Sequence, residues 1–111
     1  MKSGEVWLVN FVPSVGDEIT KTRPAVIINN DVTSGLSLRI VVPITDARAP
    51  IRPWHVKVRA TTQNGLRKDS VVDTFQLKSI STDRFVRKLG ILAAKDMDDL
   101  KVCVAEVLDL L

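Results

Sequence analysis

The chain reads as an α+β protein, a small curled antiparallel β-sheet covered by one C-terminal helix. Two patterns and one bound predict this. Short runs of alternating apolar and polar residues recur between residues 5 and 92, separated by Gly, Pro, Asn and Asp, as half-buried strands require. The last stretch switches to a helical period. The length of 111 residues, with 45% hydrophobic and 26% charged side chains, suits a single domain over 1–111 with an ordinary globular core.

The elements follow in order. In a first strand over residues 5–11, Val6, Leu8 and Asn10 alternate with Trp7, Val9 and Phe11. Pro13, Gly16 and the polar run to Thr22 make a long loop. Residues 25–28 are a short, largely β-branched run, read as a buried strand. Residues 29–37 form a turn into a strand over 38–44, where Pro43 sits near the end and its missing N–H does least harm. After a loop over 46–53, residues 54–60 alternate Trp54, Val56, Val58 and Ala60 against His55, Lys57 and Arg59. Asn64-Gly65 marks a turn, and residues 70–80 read as strand with polar interruptions. Ser81 or Thr82 is placed to cap a short helix over 83–88, with a last short strand over 89–92. Met97, Leu100, Val104, Val107, Leu108 and Leu111 then fall on one helical stripe. Asp96, Asp98 and Asp99 in its first turn complement the helix dipole, whereas Ala93-Ala94 makes a weak cap.

Several classes of chemistry are excluded. No apolar run approaches the roughly 20 residues of a membrane helix, and the first residues lack a signal-peptide core, so a cytoplasmic setting is expected. The single cysteine, Cys103, allows no intrachain disulfide, and with the single histidine, His55, it falls short of a zinc ligand set. No metal or other cofactor is expected, and catalysis must lean on Arg, Lys, Asp, Glu, Ser or Thr. The net charge of +3 divides into +6 on residues 1–90 and −3 on residues 91–111. Between Ala47 and Lys68 six cations (Arg48, Arg52, Lys57, Arg59, Arg67, Lys68) meet no carboxylate, a pattern that attracts polyanions.

One pair of residues carries candidate chemistry. If residues 25–28 and 38–44 form an antiparallel hairpin centred on Ser34, paired residue numbers add to 68 and Arg23 falls opposite Thr45. Pro24 holds Arg23 in extended geometry. A guanidinium fork fits phosphate oxygens and stabilises charge developing on them. The other reading of Arg23 is structural, an arginine at the start of a strand paired with Asp17 or Glu18. Cys103 reads as a small buried hydrophobe, and Trp54 as a core or interface ring sharing the face of Val56 and Val58.

The run Gly4-Glu5-Val6-Trp7-Leu8-Val9-Asn10-Phe11 with Pro13, Val15-Gly16 and Glu18 closely resembles the MazF/PemK family of toxin ribonucleases. So do Lys21-Thr22-Arg23-Pro24-Ala25-Val26-Ile27-Ile28-Asn29-Asn30-Asp31, Val42-Pro43-Ile44-Thr45, Gly65-Leu66, Lys68-Asp69-Ser70-Val71-Val72, Gln76 and Leu89-Gly90. The resemblance spans essentially the whole chain. It implies an SH3-like plug barrel with a C-terminal helix, a homodimer, and metal-independent cleavage of single-stranded RNA at short sequences. It also implies restraint by a cognate antitoxin, whose disordered acidic segment would suit the basic stretch. The family's catalytic arginine and threonine fall on Arg23 and Thr45, its RNA-contacting loop acid on Glu18, and its glutamine on Gln76. Asp17, Ser70, Lys57 and Arg59 complete the expected RNA-binding set, and Asp17 or Glu18 is the candidate general base, since arginine and threonine are poor bases. A gyrase-binding toxin of the CcdB type on the same fold is the alternative. Its relatives resemble one another at a terminal Trp-Gly-Ile, whereas this chain ends Leu108-Asp109-Leu110-Leu111. The remaining alternative is a small barrel that binds RNA without cutting it.

Overall fold

The computed structural model describes every residue except Ser34, the expected centre of the hairpin turn, and Ala49. Among the described residues run seven strands and one α-helix: β1 Glu5–Asn10, β2 Thr22–Ile27, β3 Leu38–Asp46, β4 His55–Val58, β5 Ser70–Asp73, β6 Lys78–Ser81, β7 Phe85–Ile91 and α1 Ala94–Val107. All pairings are antiparallel, in the order β4-β5-β3-β2-β1-β7, with β6 also on β3. The expected α+β architecture, a curled antiparallel sheet with a C-terminal helix, is the one found.

The long strand β3 causes the curl. Its first half, from Leu38 to Val41, pairs with β6, and its last three residues pair with β5. Alternation along the strands then fills two apolar layers. Val6, Val26, Val42, Ile44, Val58 and Val72 pack with Leu92 and with Met97 and Leu100 of α1. On the other face Val9, Phe11, Ala25, Ile27, Val41 and Ile80 pack with Trp7, Ile19 and Phe85. The run Ala25-Val26-Ile27 contributes to both layers, which is why it is continuously apolar.

Beyond small shifts at strand ends, three departures from the sequence expectation are larger. Residues 70–80 are not one strand. The Asp73 carboxylate accepts the Phe75 N–H at 3.2 Å and starts a 3-10 turn over Thr74–Gln76 between β5 and β6. The helix expected over 83–88 is absent. Ser81 does accept the Asp83 N–H at 3.2 Å, but the 3-10 turn it caps ends at Arg84, and residues 85–91 form the edge strand β7 against β1. Pairing with β1 overrides the local capping signal. The apolar helical stripe also stops short. Met97, Leu100 and Cys103 are buried as expected, whereas Leu108 and Leu111 lie beyond α1 and are exposed.

Candidate active site

The β2–β3 register is the one the hairpin arithmetic requires, with Ala25 opposite Pro43, Val26 opposite Val42 and Ile27 opposite Val41. Continued by two residues it sets Arg23 across from Thr45, but the ladder has ended there. Pro24 has no N–H to donate, and the end of β3 is held from its other side by β5, with Thr45 opposite Val71. Where β2 and β3 part, the curled sheet opens into a cleft of about 630 Å³. Arg23 and Thr45 both line it, together with Leu8, Asp46, Ser70, residues 65–68, and Arg87 and Leu89 of β7.

Arg23 is half-buried, and its Nε–H donates to the Thr20 carbonyl at 3.0 Å. Among the described residues it forms no ion pair, so the structural pairing with Asp17 or Glu18 is not made. Three more cations, Arg67, Lys68 and Arg87, line the cleft with Arg23. The carboxylate lining it is Asp46, held by Lys68 Nζ at 3.0 Å and by Arg48 Nη2 at 2.6 Å. Hydrogen bonds from Lys68 first and Arg48 second hold its pKa below the ordinary carboxylate value. Asp46 is therefore a poor base at neutral pH and anchors the cationic rim.

One wall depends on Asn64, which is buried. Its Oδ1 accepts the Thr61 and Leu66 N–H groups, both at 3.0 Å, and its Nδ2 donates to the Arg59 carbonyl at 2.8 Å. That leaves no orphaned amide and sets the turn into Gly65, whose φ of +71° favours glycine. A Cβ on Gly65 would meet the Leu89 carbonyl oxygen at 2.0 Å, so the wall lies directly on β7.

The other expected site residues divide. Ser70 lines the cleft, but its side chain is buried and its hydroxyl donates to the Lys68 carbonyl at 2.8 Å. Lys57 and Arg59 line a neighbouring cavity of about 440 Å³ that also includes Ser70. Asp17, Glu18 and Gln76 do not line the cleft. Glu18 and Gln76 line a separate cavity of about 230 Å³, where Glu18 Oε1 accepts the Val15 N–H at 2.7 Å and Oε2 lies 3.9 Å from Lys78 Nζ. Gln76 bonds the loop backbone at Asp17 and Ile19. His55 also lies outside the cleft, accepting the Arg52 N–H at Nδ1, with Nε2 3.9 Å from Asp73. Trp54 sits before β4 and packs edge-on against Phe75, 5.6 Å between ring centroids.

Sequence reasoning missed Arg87. It faces the cleft because β7 pairs with β1, Arg87 opposite Leu8, and reading 83–88 as helix discarded that register. Arg67 and Lys68 were visible within the basic run, although nothing local to them showed which way they point.

This geometry is that of a small α+β protein whose curled sheet gathers three further cations around an arginine and a threonine, a charge pattern that attracts polyanions. The chain belongs to the PemK-like, MazF-like toxin family of type II toxin–antitoxin systems, whose family model matches residues 2–108. It is 34% identical to endoribonuclease MazF9 of Mycobacterium tuberculosis over 99% of this chain and 98% of that one. Its fold resembles MazF of Deinococcus radiodurans, with a TM-score of 0.83, 22% identity and coverage of 98% and 96% of the two chains. It also resembles a mycobacterial endoribonuclease solved with its cognate antitoxin, with a TM-score of 0.80, 18% identity and coverage of 100% and 97%.

Proposed function

We propose that this toxin is a metal-independent endoribonuclease that cuts single-stranded RNA at short sequences, with Arg23 and Thr45 as its catalytic pair. The observation that carries the reading is that these two side chains line one cationic cleft at the parted ends of β2 and β3. The ribose 2′-hydroxyl attacks the adjacent phosphorus and loses its proton to water, since Asp17 and Glu18 do not line the cleft and Asp46 is a poor base. The phosphorus–O5′ bond breaks and O5′ takes up a proton, leaving a 2′,3′-cyclic phosphate and a 5′-hydroxyl. With Nε–H committed to Thr20, the terminal NH2 groups of Arg23 face the dianionic transition state, and the Thr45 hydroxyl donates to a non-bridging oxygen. Arg67, Lys68 and Arg87 bind flanking phosphates, and the track extends past Ser70 to Lys57 and Arg59. Cytoplasmic RNA is the substrate of a homodimer, and the acidic segment of a cognate antitoxin occupies the same cations. Support for the activity and the antitoxin comes from the endoribonuclease relatives, one of them solved with its antitoxin.

The test is incubation of purified protein with a long single-stranded RNA in a metal chelator. Fragments with cyclic-phosphate ends are expected, with uncut DNA of the same sequence. Arg23→Ala should lower the cleavage rate by about 100-fold or more, and Arg23→Lys should not restore it, since an ammonium lacks the planar fork. RNA that binds tightly but stays intact would instead favour the binding barrel.

A further inference from the structure

We propose that Gln76 is a positioning residue for Arg23, acting through the backbone of the loop before β2. The inference rests on the nuclease reading and concerns how its arginine is aimed.

The structure contains a continuous relay. Gln76, in the 3-10 turn between β5 and β6, grips the loop at two points: its Oε1 accepts the Ile19 N–H at 3.0 Å and its Nε2 donates to the Asp17 carbonyl at 3.0 Å. One residue further on, the Thr20 carbonyl accepts Arg23 Nε–H at 3.0 Å. That is the hydrogen bond the described structure gives the guanidinium, and no carboxylate pairs with it. The aim of the Arg23 fork is thus set by where Thr20 sits. Thr20 lies on an exposed loop, and exposed loops rarely position a group to a fraction of an ångström. Gln76 supplies the missing rigidity, because its side chain hangs from a turn fixed between two paired strands and capped by Asp73. Ile19, whose N–H is one of the two grips, is half-buried against the second apolar layer and seats the loop from below.

The amide is chemically suited to this. Glutamine offers a donor and an acceptor on one planar group, matching an N–H and a carbonyl two residues apart on an irregular backbone. The geometry also accounts for a glutamine that does not line the cleft. Two hydrogen bonds, joined by the Ile19–Thr20 backbone, separate it from the guanidinium.

The experiment uses two variants. Q76M preserves side-chain length and removes both hydrogen bonds, whereas Q76E keeps an acceptor for Ile19 and sets a carboxylate oxygen against the Asp17 carbonyl. The proposal expects kcat to fall roughly 10- to 100-fold in Q76M, less in Q76E, with KM and the set of cut sequences unchanged. Relaxation of the Arg23 Nε–H by NMR should show a rigid group in the wild type and a mobile one in folded Q76M. An Arg23 Nε–H as rigid in Q76M as in the wild type overturns the proposal, as does a variant that retains kcat but cuts different sequences. Should the wild-type protein cut no RNA at all, the nuclease reading fails by itself, and the NMR comparison still decides whether the relay exists.

Discussion

At the scale of single residues, two side chains in the cleft are defined by what holds them. Arg23 is oriented by one backbone carbonyl and by the restricted backbone before Pro24, so its charge stays available to an incoming phosphate. Asp46 is the reverse, a carboxylate shared between Lys68 and Arg48. Its lowered pKa has a stability consequence with a definite sign. The unfolded chain holds the proton more tightly, so this group stabilises the fold above the ordinary carboxylate value near 3.8, and the contribution fades as pH falls through the lower folded value. Asp46→Asn should therefore be less stable than the wild type at neutral pH, with the gap closing as pH falls below the ordinary carboxylate value. The effect should be small and should shrink with added salt, because the pair is solvated. Acid unfolding followed by circular dichroism checks this, and a gap that persists undiminished to low pH would contradict it.

At the scale of elements, β7 and the turn at Asn64-Gly65 act as a unit. The Ile91 N–H donates to the Gln63 carbonyl at 2.9 Å, and a Cβ on Gly90 would come within 2.2 Å of that same oxygen. Backbone cannot yield there as a flexible side chain would. Gly90→Ala should lower the melting temperature by roughly 5–15 °C through overpacking, and should loosen the wall that carries Arg67 and Lys68. Thermal unfolding decides the point, and an unchanged melting temperature would mean that the contact is looser than the backbone positions imply. The errors in reading the elements have the same origin. Ser81 is a genuine local cap, yet the chain it begins becomes an edge strand, because β1 offers a row of hydrogen-bonding partners that no short-range pattern reveals.

At the scale of the whole molecule, charge and shape coincide. The curl gathers Arg23, Arg67, Lys68 and Arg87 from separate segments at one opening, with Lys57 and Arg59 in the adjoining cavity. Binding to an uncleavable 2′-O-methyl RNA should then weaken steeply with salt. With three to five phosphates neutralised, the logarithmic slope should be about −2 to −3.5. Arg87→Ala should reduce its magnitude by roughly 0.7, the share of one phosphate contact on a single strand. A slope that the substitution leaves unchanged would place the RNA elsewhere on the surface.

Read alone, the chain determined its α+β class and the β2–β3 register whose continuation would set Arg23 across from Thr45, because strand alternation and a turn are local properties that a hairpin converts directly into partners. It also carried the family in motifs spread along its length. Tertiary structure alone decided that β2 and β3 part beyond Ala25 and Pro43, that Arg87 joins the cleft, and that Gln76 and Glu18 do not line it. These outcomes follow from pairing between segments tens of residues apart. Side-chain direction at such positions is set by the partner strand, which a local reading of the residues cannot see.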